Sequence, residues 1–307
     1  MSNATPSVRR WFPQFSLRLL LIATALCGVL LVFVRQRTES QHHAFQKLTA
    51  KGFVFYGPNS PSSQPWLDRL YHGDKRYDAI SSAFAKNGKI SPADTSSLLA
   101  FPQLDSVGFK STPVRGLLPS IAKLPELRIL HIEDARITAS DFDDLRGTHL
   151  FWLALTRVEL EPVDLSSFPD LQYLELVGPF ANDELLKGVA KLSKLELLYL
   201  YDTRITDAGL AKLAHLPALC NLWLSKTPIN GSCFQEFADS DVTNLQLNDT
   251  NVDSSAVDHL IGMRKLKSLE LKGTKLAKED RAKLKRARPD ITQTFDPLLE
   301  HESQPGD

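Results

Sequence analysis

From residue 80 almost to the end of the chain, apolar positions recur with two nested periods. Inside each copy they fall at the first, fourth, sixth and eleventh places. The copies themselves begin at Leu104, Leu127, Leu150, Leu171, Leu195, Leu219, Val242 and Leu266, spaced 23, 23, 21, 24, 24, 23 and 24 residues apart. The clearest copy reads Leu195, Leu198, Leu200, Thr203, Ile205, followed by Thr206-Asp207-Ala208-Gly209-Leu210. Alternation at the fourth and sixth places predicts a short strand with two inward side chains, and the eleventh place supplies a further inward residue. A degraded copy, Ile80, Ala83, Ala85 and Ile90, lies 24 residues before the first full one, as expected of a terminal repeat.

After each strand, Ser91, Thr138, Asn182, Thr206, Asn230 and Asp253 stand twelfth in their copies. These are residue types that open helices by accepting backbone N–H bonds. Inward pairs such as Phe142 with Leu145, Leu210 with Leu213 and Phe234 with Phe237 then close the core from the helix side. A single turn buries too little apolar surface to offset the entropy of ordering it, so the turns have to stack. The Thr column (Thr112, Thr203, Thr227, Thr250, Thr274) is placed to hydrogen-bond carbonyls across turns or simply to fit the bend. Val158 and Pro179 interrupt it where the period shortens to 21, which predicts a local irregularity.

The pattern L-x-x-L-x-L-x-x-T-x-I-T-D-x-G-L resembles leucine-rich-repeat proteins, in particular membrane-anchored bacterial arrays in which Thr replaces the usual Asn. The resemblance covers about Ile80 to Phe295 and implies an α/β leucine-rich-repeat solenoid with a concave parallel sheet and short convex helices. It implies no particular ligand. The Phe15-Ser16-Leu17-Arg18 entry to the apolar leader also looks like that of membrane-anchored members of this group.

Leu19 to Val34 is an uncharged run of 16 residues, long enough for one N-terminal transmembrane helix if Arg18 snorkels. Arg9, Arg10 and Arg18 precede it and Arg35 and Arg37 follow, which places the amino end inside and the repeat domain on the periplasmic or extracellular side. The run ends Val-Phe-Val-Arg-Gln-Arg with no small-residue cleavage site, so the segment reads as an uncleaved signal anchor. The expected organisation is a short segment 1–16, an anchor 17–35, a stalk and N-terminal cap 36–76, the repeat domain 77–296 and a disordered tail 297–307. Within the cap, Gly52 to Gly57 reads as a strand over the first turn, Asn59 to Pro65 as a loop, and Trp66, Leu67 and Leu70 as the apolar face of a capping helix.

Charge removes several function classes. Lys and Arg total 36 against 36 Asp and Glu, which is no footprint for nucleic acid. The basic excess is local, Arg264 to Arg288, and reads as a solvated cap. Cys27, Cys220 and Cys233 have no metal-ligand spacing, and Cys220 and Cys233 fall on different edges of the coil and are expected to be free. His131, Glu133 and Asp134 are close in sequence but have no nucleophile, phosphate loop or second ligand set with them, so neither an enzyme nor a cofactor is expected.

The outward side chains of each strand, at the third, fifth and seventh places, form three columns on the concave face. Trp152, Tyr173, Tyr199, Tyr201 and Trp223 concentrate in the middle of these columns, with Glu175 and Asn221 beside them. A contiguous aromatic patch marks an interaction surface. The expected function is binding of a protein partner through this face, with a glycan or cell-wall ligand as the alternative. A cytoplasmic F-box-like adaptor shares the repeat but conflicts with the apolar leader.

Overall fold

The computed structural model describes residues 17–57 and 80–295. The expected segment 1–16, the Asn59–Pro65 loop, the Trp66–Leu70 helix and the tail 297–307 lie outside the described residues. The strands in chain order are β1 (Phe53–Tyr56), β2 (Ser82–Lys86), β3 (Ser106–Lys110), β4 (Ile129–Glu133), β5 (Arg136–Ile137), β6 (Trp152–Thr156) and β7 (Glu159–Leu160). They continue with β8 (Tyr173–Val177), β9 (Leu197–Tyr201), β10 (Asn221–Ser225), β11 (Asn244–Gln246), β12 (Ser268–Glu270) and β13 (Thr292–Thr294). Among the described residues, all but β5 and β7 join one sheet, in the order β1-β2-β3-β4-β6-β8-β9-β10-β11-β12-β13. From β2 onward the pairing is parallel and in repeat register: Leu130, Leu153, Leu174, Leu198, Leu222, Leu245 and Leu269 stand side by side. These inward leucines are buried, as are the eleventh-place residues Ile137, Ile205, Ile229 and Val252. The chain is thus a leucine-rich-repeat solenoid with a single continuous core.

Each strand leaves the sheet through a left-handed corner. Asn87, Ser111, Asp134, Arg157, Asp202, Lys226 and Asp249 all have φ between 49° and 57°, and Gly178 and Gly273 fill the same column. That conformation is costly for a side chain with Cβ and cheapest for Gly, Asn and Asp, which dominate the column. The corner turns each amide toward the next repeat. Ser111 N donates to Glu133 O at 2.8 Å, Asp134 N to Thr156 O at 3.0 Å, Asp202 N to Ser225 O at 3.0 Å and Lys226 N to Asn248 O at 3.0 Å.

The Thr column does not form a cross-turn ladder of hydroxyls. Thr250 and Thr274 donate to carbonyls three residues earlier in their own turns, Leu247 O at 2.7 Å and Leu271 O at 2.9 Å. Thr112 donates to Lys110 O and also accepts, at 3.4 Å, the Gly88 amide of the preceding turn. Thr203 and Thr227 are buried with hydroxyls that have no partner. At those two positions the residue fits the bend.

On the convex side, capping follows the sequence closely. Ser91 and Thr138 make reciprocal capping boxes with Asp94 and Asp141, opening α2 (Pro92–Ser96) and, after α3 (Leu118–Ile121), α4 (Ala139–Asp144). Asn182 caps α5 (Asp183–Val189). Thr206 instead gives both its amide and its hydroxyl to Asp183 of the preceding turn. Asp207, opening α6 (Asp207–Leu210), accepts the amides of Asn230, Gly231 and Cys233 in the following turn at 2.9, 2.9 and 3.1 Å. Burial opposes the charge on Asp207, but these backbone donors outweigh it and hold the carboxyl below its ordinary value. The 21-residue copy replaces its convex helix by a short 3₁₀ turn, Leu165–Ser167, and β7 pairs with β5 as a small second sheet. The irregularity expected there is thus the loss of about one helical turn.

Both ends are closed by ordered chain. α1 (Leu17–Ala50) is one uninterrupted helix of 34 residues, long and apolar enough in its first half to cross a bilayer, and Leu21 to Phe33 are largely exposed. Its second half seats Gln41, Ala44 and Leu48 on the first turn of the solenoid, with Gln41 Nε2 donating to Ala100 O and Lys47 paired to Asp94 at 3.2 Å. β1 adds antiparallel to β2, covering the sheet's first edge as the Gly52–Gly57 segment predicts. After α7 (Val257–Gly262), the last turn ends in α8 (Lys278–Ala287), and the basic run is built into this cap. Arg288 holds the carbonyls of Ile261, Met263 and Leu266, Arg281 is buried over the Phe295 ring, and Arg264, Lys265 and Lys283 pair with Asp239, Asp241 and Asp258 of the preceding turn.

Asp207→Ala leaves three backbone donors of the next turn unpaired and is expected to lower stability by about 2 kcal/mol, the scale of hydrogen bonds to a charged acceptor. Urea unfolding followed by circular dichroism reads this directly. A midpoint equal to the native chain's would show that the carboxylate does not couple the two turns.

Candidate functional site on the concave face

The register fixes which side chains meet on the concave sheet. Ile129, Trp152, Tyr173, Leu197, Asn221 and Asn244 form one column, His131, Ala154, Glu175, Tyr199, Trp223 and Gln246 the midline, and Glu133, Thr156, Val177, Tyr201 and Ser225 the third. Each predicted residue therefore stands on this face. The rings form two groups. Trp152 meets Tyr173 at 6.0 Å between centroids, and Trp223 meets Tyr199 at 6.0 Å, with Tyr201 stacked on Tyr199 at 6.3 Å. Glu175 lies between them on the midline. Trp223 is 38% exposed, while Trp152, Tyr173, Tyr199 and Tyr201 are half-buried by one another. Asn221 is half-buried and accepts a hydrogen bond from Asn244 Nδ2 at 2.7 Å, continuing the surface in polar form.

The first aromatic group runs further toward the amino end than sequence reading indicates. His131 packs on Trp152 at 5.1 Å, Phe84 on His131 at 5.8 Å, and Tyr56 of β1 on Phe84 at 5.9 Å. Phe84 reaches His131 two strands away because Gly108 lies between them. A Cβ there would come within 2.1 Å of the Phe84 ring. The degraded first copy and the glycine together hide this extension from a search by repeat.

The charges divide between the edge and the midline. At the edge, Glu133 takes Lys110 at 2.6 Å and Arg157, and Arg157 also holds Asp134 at 2.8 Å. Burial pushes the Glu133 carboxyl up, but the hydrogen bonds from Lys110 and Arg157 outweigh it and hold the group below the usual range. Lys226 sits over the Tyr201 ring at 5.0 Å. On the midline, burial lowers the His131 pKa and raises that of Glu175, which the charge of Glu133 raises further. Burial and the neighbouring Glu175 also raise Tyr199. The Glu175 carboxylate receives neither a hydrogen bond nor an ion pair from any described residue.

His131, Glu133 and Asp134 are not brought together as a reactive set. The ring of His131 is enclosed by Phe84 and Trp152, and the two carboxylates are held by Lys110 and Arg157. Cys27, Cys220 and Cys233 are free thiols, and burial followed by the charge of Asp207 pushes the Cys233 thiol up, away from reactivity.

No protein-family model and no curated protein matches the chain. Among solved structures it is similar to an internalin of Listeria monocytogenes at 14% identity and TM-score 0.44, covering 72% of this chain and 88% of that one. It is also similar to a leucine-rich-repeat protein of Leptospira interrogans at 18% identity and TM-score 0.48, covering 65% and 50% of the two chains. An internalin C2 of Listeria monocytogenes aligns at 21% identity and TM-score 0.45, covering 67% and 84%. Likenesses at these identities and TM-scores assign no function, which is argued from the site's own geometry.

The unpartnered Glu175 carboxylate has a sign that can be measured. Folding raises its pKa, so the stability it contributes is full below the unfolded value and is lost as the pH climbs through the folded one. Glu175→Gln is therefore expected to melt higher than the native chain at pH 7, by a few degrees at most, since 1 kcal/mol moves the midpoint of a chain this size by roughly 2–4 °C. Below the carboxylate range the two should melt alike. A variant that melts lower at pH 7 would mean that the carboxylate has a stabilising partner.

Proposed function

We propose that this chain is a non-enzymatic, membrane-anchored leucine-rich-repeat protein that binds a protein partner through its concave face, with the repeat array on the periplasmic or extracellular side. The observation that carries the reading is the pair of aromatic groups on adjacent parallel strands, centred on Trp152 with Tyr173 and on Tyr199 with Trp223. Rings fixed to a rigid sheet offer large contact area at small entropic cost, the property that makes Trp and Tyr the anchors of interfaces. The exposed apolar first half of α1 supports the anchor, and the three arginines before it against two after it support the orientation.

Ring geometry favours a protein over a glycan. Sugar rings stack on open aromatic faces, whereas here rings on neighbouring strands meet edge to face, His131 on Trp152 at 60°, Trp152 on Tyr173 at 67° and Tyr199 on Trp223 at 87°, while Tyr199 and Tyr201, on one strand, lie nearly parallel. Such a surface is ridged and suits interdigitating side chains. Part of the basic carboxy-terminal run is engaged within the fold, Arg288 on backbone carbonyls, Arg281 over the Phe295 ring, and Arg264, Lys265 and Lys283 on aspartates of the preceding turn.

A photo-reactive phenylalanine derivative placed at Trp223 is expected to yield protein adducts in intact cells, and the same probe at Lys212 on the convex side is expected to yield none. Equal adducts from both positions, or adducts at 223 that are carbohydrate, would overturn the reading.

A further inference from the structure

We infer that Glu175 is the receptor for an arginine side chain of the protein partner, which lays its guanidinium against the aromatic rings on either side. This rests on the concave face being the binding surface and names the chemistry its centre selects. Glu175 stands in the middle of the sheet, between Ala154 on β6 and Tyr199 on β9, with Tyr173 and Val177 two places away on its own strand. The diagonal positions are Trp152, Thr156, Leu197 and Tyr201. None of these neighbours carries a positive charge, and none hydrogen-bonds the carboxylate.

The contrast with the rest of the face gives this vacancy of charge its meaning. Glu133, one column away and two strands earlier, is matched by Lys110 and Arg157. Glu270, on the same midline further along, accepts hydrogen bonds from Gln246 and Asn248 at 3.0 Å each. Lys226, a cation beside the second aromatic group, is turned onto the Tyr201 ring. The fold thus supplies partners to the other acidic groups of this surface and leaves a half-buried carboxylate uncompensated among aromatic rings. A partly desolvated carboxylate costs free energy that an incoming cation offsets.

Of the cationic side chains, guanidinium fits this surround best. It is planar, weakly hydrated and stacks on aromatic faces while donating two parallel hydrogen bonds to a carboxylate. The small Ala154 beside Glu175 lets the carboxylate be approached from the β6 side without meeting another large midline group. The register then gives the orientation: the Arg side chain enters at the midline, flanked by Trp152 and Tyr173 before it and by Tyr199 and Tyr201 after it.

The test uses the full chain in detergent micelles and two capped pentapeptides, acetyl-Gly-Gly-Arg-Gly-Gly-amide and its citrulline counterpart, which is isosteric and uncharged. Titration calorimetry at low ionic strength is expected to show the arginine peptide binding about tenfold tighter than the citrulline peptide, the scale of one charge-assisted, ring-flanked contact. Glu175→Gln, which should be at least as stable as the native chain at neutral pH, is expected to erase that preference. Glu126→Gln, the same loss of charge at an exposed site off the concave face, is expected to keep it. Equal binding of the two peptides to the native chain, retention of the preference by Glu175→Gln, or no binding of the arginine peptide would each overturn the inference. Protein adducts at position 223 alongside any of those results would leave the concave surface standing and remove only its arginine site. Absence of adducts would remove the surface itself.

Discussion

At the corners from Asn87 to Asp249, a backbone amide at positive φ reaches the carbonyl of the next turn. Every other feature of the solenoid is arranged around that bond. It comes from residues as different as Ser111, Arg157 and Lys226, so it depends on backbone shape more than on side chain. Because adjacent turns share it, their strands stay in a common register, and inward leucines fall on inward leucines from Leu130 to Leu269. One turn alone has neither the bond nor enough buried area to hold its shape. The convex side repeats the principle with side chains, as Asp183 and Asp207 bind the opening amides of the turn that follows them.

With the backbone carrying the coupling, the outward side chains of the sheet are free to differ from turn to turn. Toward the edge, opposite charges are matched pair by pair across neighbouring turns. Along the midline the chemistry passes from Phe84 and His131 through Ala154 and Glu175 to Tyr199, Trp223 and Gln246. That gradient places a single uncompensated carboxylate between two aromatic groups. α1 runs unbroken from its apolar half onto the first turn, where Gln41 donates to Ala100 O.

The inward positions were legible because they obey a period: Leu198, Leu222 and Ile205 could not be placed otherwise without exposing apolar surface. The concave columns followed from the same alternation, since Trp152 and Tyr173 or Tyr199 and Trp223 are separated by one whole repeat. The left-handed corner was signalled by Asn87, Asp134, Asp202 and Asp249, but Arg157 and Lys226 in the same column obscured it. Thr203 and Thr227 resemble Thr250 in sequence and differ in bonding, because whether a hydroxyl meets a carbonyl depends on local rotation that the pattern does not encode. The reach of the aromatic row to Tyr56 depends on an antiparallel strand and on a glycine gap, and neither has a periodic signal. The pairing of Lys110 and Arg157 with Glu133, which leaves Glu175 alone, is likewise a matter of side-chain geometry.

Native-state hydrogen exchange at the corner amides tests the coupling most directly. Ser111, Asp134, Asp202 and Lys226 are predicted to exchange slowly and to lose protection together as denaturant is raised, because each is closed by the turn beyond it. Exchange of these amides at the rate of a free peptide, or loss of protection at separate denaturant concentrations on the two sides of Arg157, would contradict a single array held together at its corners.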